Sequence, residues 1–129
     1  MVEHQLNLSV LPEQLAIVRL ESKSQIPYWV NSGEFFSITS TKDEVSIICP
    51  EKNVPQGITC DSGWRAIKIE GPFDLELTGV AVSVAGPISN SGIGVFIIAT
   101  YDTDYVLVKE VLLNKALSAL TNAGHSIIR

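Results

Sequence analysis

Only two of the 129 residues are cysteine, Cys49 and Cys60, and neither CxxC spacing nor a pair of histidines stands near them. A structural zinc site and a redox dithiol both lack their ligands, so two packed, inert thiols are expected. Basic residues are scarce: 9 Lys and Arg face 14 Asp and Glu, a net charge of −5. A nucleic-acid backbone or an anionic membrane would need a basic face to release counterions, so neither is expected as a partner. No apolar run approaches the roughly 18 residues of a membrane span. The start, MVEHQLNLSV, has no basic stretch followed by an apolar one, so no secretion signal is read and the expected compartment is the cytoplasm. Catalytic signatures are missing as well. Ser37, Ser46 and Ser83 have no GxSxG elbow, and His4 and His125 lie near the ends with nothing marking a triad. His125 is read as a strand residue with a satisfied ring. The Gly-rich pieces Gly57 to Gly63 and Ser91-Gly92-Ile93-Gly94 fit neither a P-loop nor a dinucleotide fingerprint. No metal or cofactor is called for, and an enzyme is not expected.

What is present is enough apolar material for a core, with 46% hydrophobic and 18% charged residues. At roughly 150 residues per domain the length suggests one body. Segments 15–20, 35–41 and 45–49 read as strands. Pro27 opens a short helix between the first two, which Asn31-Ser32-Gly33 ends. Residues 50–63, PEKNVPQGITCDSG, read as a connector. Trp64 to Glu70 alternates as a half-buried strand, with Ile67 and Ile69 on one face. Val80, Val84 and Ile88 recur every four residues and predict a helix over 77–90, bent or restarted at Gly86-Pro87. Strands over 93–100 and 105–108 flank a polar turn, a helix follows over 111–122, and 125–128 is the last strand. The order β-α-β-β-α-β is that of a ferredoxin-like, α+β unit, an antiparallel sheet with two helices on one face. The first half is an incomplete copy. Strand 93–100 is apolar almost throughout, so its outer face calls for a cover.

Charge is unevenly placed. No Lys or Arg falls between Lys68 and Lys109, while Glu70, Asp74, Glu76, Asp102 and Asp104 all do, and these five acids equal the net charge of −5. Such carboxylates suit an amine or guanidinium. The helix start near Thr78-Gly79-Val80 offers unpaired N–H groups to an α-carboxylate. The other reading is that these acids are solvated loop residues, with Asp74 or Glu76 favouring the helix N-terminus. The two acidic turns need not meet within one copy of the fold. Asp102 with Asp104 could also serve acid–base chemistry, for which sequence shows no separation.

The stretch from Gly63 to Gly124, beginning GWRAIKIEGPFDLELTGVAVSVAGPISNSGIGVFIIATYDTDYVLVKE, resembles an ACT domain of the small tandem-ACT proteins. These are similar to the regulatory ends of aspartate kinases and to the cytosolic arginine sensors of animal cells. The first half adds GEFFSITST (33–41) and DEVSIICPE (43–51), and the most specific part is FIIATYDTDYVLV (96–108). The resemblance implies an α+β, ferredoxin-like (βαββαβ) ACT fold with two ACT-like units, 1–62 incomplete and 63–129, packed as one body with antiparallel sheets side by side. It implies a non-catalytic regulatory module that binds a small ligand, usually an amino acid, at the junction between ACT units. The implied segments are Asp74, Glu76, Leu77, Thr78, Gly79 and Val80, with Thr100, Tyr101, Asp102 and Asp104. Asp104 takes the cationic end of the ligand, and the Gly79-Val80 backbone takes its carboxylate. Ala99 stands where the arginine sensors carry Ser. A chain this short is implied to form a homodimer to make the junction, with a regulated protein as further partner. The alternative is an ACT-shaped interaction module that holds a protein and no small ligand.

Overall fold

The computed structural model describes residues 4–31 and 33–128. Residues 1–3 of the stretch read for a leader, Ser32 of the expected helix stop, and Arg129 lie outside the described residues. The elements are β1 (Asn7–Val10), β2 (Leu15–Glu21), β3 (Ser37–Ser40), β4 (Glu44–Pro50), β5 (Cys60–Ile69), α1 (Val80–Asn90), β6 (Phe96–Ala99), β7 (Asp104–Lys109), α2 (Leu113–Asn122) and β8 (Ser126–Ile128). They group into two compact units, 13–64 and, on either side of it in sequence, 4–12 with 65–128.

In the 13–64 unit the strand order is β3-β4-β2-β5. Val45, Ile47 and Cys49 alternate along β4 and face Ala16, Val18 and Val30, all buried, as a period of two requires. The expected short helix is a single 3-10 turn, Tyr28–Asn31. Residues 50–63 are not all connector: β5 begins at Cys60 and pairs with β2 through Val18–Cys60 and Ile17–Asp61. Cys49 lies on β4 and Cys60 on β5, with β2 between them. Two strand spacings come to about 10 Å, beyond the reach of a disulfide. Burial, then the nearby Cys60, pushes the Cys49 thiol up to about 11.

In the other unit the predicted series of elements is present, as β5-α1-β6-β7-α2-β8. Its sheet runs β6-β7-β5-β1-β8. β1 carries no strand signal in its sequence, and a cut at 62/63 groups it with the first half of the chain. β1 instead stands between β5 and β8, pairing Leu8 with Ile69 on one side and with Ile127 on the other. The second of these pairings is parallel, against the expected antiparallel sheet. Both helices cover one face, where Val80, Val84 and Ile88 of α1 and Ala116 and Leu120 of α2 meet Leu8, Ile67, Ile69, Val106 and Val108. α1 begins at Val80 rather than 77 because Gly79, at φ 83°, takes a left-handed conformation ahead of it. The helix runs through Pro87 without the expected restart. Strand 93–100 shortens to Phe96–Ala99 and, among the described residues, pairs only with β7. On β6, Ile97 stays 44% exposed. No helix among the described residues is long and apolar enough to cross a membrane.

Candidate functional site

The loop that follows β5 and the turn between β6 and β7, whose meeting the sequence leaves open, come together within the one unit. The start of β7 lies beside the end of β5: Thr103, buried, donates its hydroxyl to the Ile69 carbonyl. Beyond it, the Phe73 N–H donates to the Asp102 carbonyl at 2.8 Å. The turn is closed on itself, with the Thr100 N–H and hydroxyl donating to the Thr103 carbonyl at 2.8 and 2.9 Å. Gly71 is what lets the two segments approach, since a Cβ there would lie 2.9 Å from the Asp102 carbonyl oxygen.

Between them is a cavity of about 120 Å³. Asp74, Leu77, Val80, Thr100, Tyr101, Asp102 and Asp104, seven of the ten candidate residues, line it together. Leu75 and Thr103, inside the two implied segments, also line it, as do Ala99, noted in the sequence where the arginine sensors carry Ser, and Phe73, which the sequence did not mark. Glu76, Thr78 and Gly79 do not. Glu76 is exposed, the Thr78 carbonyl faces His4 Nε2 at 2.9 Å, and Gly79 is the N-cap of α1, with no side chain capping the helix start.

Asp104 reaches the cavity by strand periodicity. It pairs with Ala99 and heads the row Asp104, Val106, Val108, whose other members lie in the core beneath the helices. Burial raises its carboxyl above the usual range, while Asp74 and Asp102 are exposed. No Lys or Arg lines the cavity. Glu70 leaves the acidic group, because Lys68 Nζ pairs with it at 3.4 Å. His125 is no base waiting for a substrate: its Nδ1 accepts from the Leu6 N–H at 3.1 Å, and its Nε2 lies 2.7 Å from the Ser83 carbonyl.

Residues 59–122 match the sequence profile of the ACT domain. Residues 59–122 belong to the ACT-domain family. A second profile, described as an N-terminal domain, covers residues 13–57, inside the 13–64 unit. Among solved structures, a protein of Agobacterium tumefaciens is 41% identical, with a TM-score of 0.91 over 97% of this chain and 93% of that one. The regulatory subunit of aspartate kinase from Thermus thermophilus, in its ligand-free form, shares the fold at 10% identity, with a TM-score of 0.64 over 90% of this chain and 96% of that one. The human cytosolic arginine sensor for mTORC1 subunit 1 is 28% identical over 98 residues, 70% of this chain and 30% of its own length. The chain spans between 30% and 54% of the length of these curated relatives.

Proposed function

We propose that this chain is a non-catalytic regulatory module of the cytoplasm whose cavity between residues 73–80 and 99–104 receives an amino acid. The observation that carries this reading is the meeting, on one cavity, of carboxylates without a basic partner and the uncapped start of α1. Asp104, with Asp102, takes the cationic group of the ligand. Of the Gly79-Val80 pair, the backbone N–H of Val80, which lines the cavity, takes its carboxylate. The volume of about 120 Å³ is below the roughly 300 Å³ at which small-molecule pockets begin, so a second copy of the chain closes the site. The apolar edge strand β6, with exposed Ile97, ends at the cavity rim and is the surface to which that copy adds. The name of the arginine-sensing relative supports an amino acid as ligand.

A thermal-shift series with the twenty amino acids tests this. A ligand present at 100 times its Kd should stabilise the native state by about 2.7 kcal/mol. If none raises the melting temperature at millimolar concentration, the chain is instead an interaction module. The small cavity and its exposed rim, Leu75 at 68% and Tyr101 at 79%, favour that second reading.

Asp104→Asn separates stability from binding. The folded protein holds the Asp104 proton to higher pH than the unfolded chain. The stability this carries is complete at acid pH and is lost as pH rises through the folded value. At pH 7 the asparagine variant should therefore melt no lower than wild type, while a cationic ligand binds about 1–3 kcal/mol more weakly. Unchanged affinity in calorimetric titration would move the cationic end elsewhere.

A further inference from the structure

Both histidines of the chain hold carbonyls at the start of α1, His4 at Thr78 and His125 at Ser83. A ring nitrogen facing a carbonyl must carry the proton and donate it. The His125 bond has a definite cause. In an α-helix the carbonyl of residue 83 accepts the N–H of residue 87, and residue 87 is proline, which has none. Pro87 thus opens one acceptor inside α1, and the buried His125 ring fills it at 2.7 Å. Its other nitrogen accepts the Leu6 N–H, so the ring is neutral, with its proton on Nε2. Ser83 in turn holds Gly79, donating to its carbonyl from the N–H at 2.9 Å and from the hydroxyl at 2.7 Å. The series Leu6, His125, Ser83, Gly79 ends one residue before Val80, which lines the ligand cavity. The two histidines line a separate hollow of about 440 Å³, shared with Gly79 and Pro87 and free of charged side chains.

We infer that His125 is a positioning residue for the ligand cavity. By supplying the donor that Pro87 withholds from Ser83, it fixes the first turn of α1 and the backbone N–H groups of Gly79 and Val80. Its effect on affinity rests on the ligand reading above; its effect on the helix backbone does not.

Asparagine places an amide near the Nδ1 position and glutamine near the Nε2 position, so His125→Asn keeps the acceptor for Leu6 while His125→Gln keeps the donor for Ser83. Hydrogen exchange of the Ser83 amide, followed by NMR without ligand, should be about tenfold faster in His125→Asn than in wild type and within about twofold of it in His125→Gln. Equal acceleration in both, or a larger one in His125→Gln, overturns the inference. In a Pro87→Ala background the helix supplies its own N–H to Ser83, and the effect of His125→Asn should vanish. That background also keeps a folded protein available if the single variant unfolds. An undiminished effect there refutes the role given to Pro87. L-Arginine, titrated by calorimetry, should bind about tenfold more weakly to His125→Asn and less than about twofold more weakly to His125→Gln. Fast exchange with unchanged L-arginine binding removes His125 from the site. If wild type takes up no L-arginine, the ligand reading fails for that probe, and the exchange measurement still decides the positioning of the helix.

Discussion

Leu8→Ala should lower the stability of the unit holding residues 65–128 by about 2–5 kcal/mol, and a chain starting at Glu13 should fail to fold that unit. Leu8 is fully buried and stands on an inner strand, paired with Ile69 and with Ile127. Truncation to alanine removes core atoms that the strands on both sides prevent from being replaced. Deleting the first twelve residues does more. It exposes one edge of β5 and one of β8, takes Leu6 and Leu8 from the core, and withdraws the N–H that His125 accepts. Chemical denaturation reads the first variant and amide NMR the second. Val111→Ala is the control, since Val111 is 89% exposed and should stay within about 0.5 kcal/mol of wild type. A dispersed spectrum for Ile67–Ile69 and Ser126–Ile128 in the shortened chain would refute the central placing of β1.

Gly71→Ala should cost about 1–3 kcal/mol and abolish ligand uptake. The added Cβ would meet the Asp102 carbonyl oxygen at 2.9 Å, the Phe73 ring at 3.0 Å and the Phe73 nitrogen at 3.2 Å. Two of these are backbone atoms, which cannot swing aside as a side-chain tip can. The loop must move off the turn, and the nearby bond from Phe73 to Asp102 goes with it. Gly94→Ala is the companion, because a Cβ there meets nothing within 4 Å. Equal melting temperatures and equal ligand uptake in the two variants would show that the close approach at Gly71 is not needed.

Elements with a clear period were legible before any coordinates. The four-residue recurrence of Val80, Val84 and Ile88 is the buried stripe of α1. β1 was not legible, because four residues, NLSV, are too few to establish a period, and their pairing partners lie far away in sequence. The first residues of β5 were hidden by composition: Cys60, Asp61 and Ser62 look like turn text and are exposed, so no apolar alternation marks them. The acidic turns were found by charge, but their meeting depends on β7 lying between β5 and β6. Once that order is known, the ends of β5 and β6 must share a rim. Asp104 could have been singled out further, as the polar head of the alternating row it forms with Val106 and Val108. The loss of Glu70 to Lys68 was also within reach, since residues two apart on a strand share a face. The volume of the cavity follows from packing and has no signature in the text.

The place of β1 sets an order of events during synthesis. Leu6 leaves the ribosome 119 residues ahead of His125, and Leu8 ahead of Ile127, the residue it finally pairs with. Residues 13–64 can assemble their own strands while the rest is still being made, but the other unit cannot close until β8 emerges. Such distant pairings fold slowly, and the earliest residues must meanwhile wait unpaired, exposed to wrong partners. The cavity between residues 73–80 and 99–104 therefore cannot form on the nascent chain until β8 has been made.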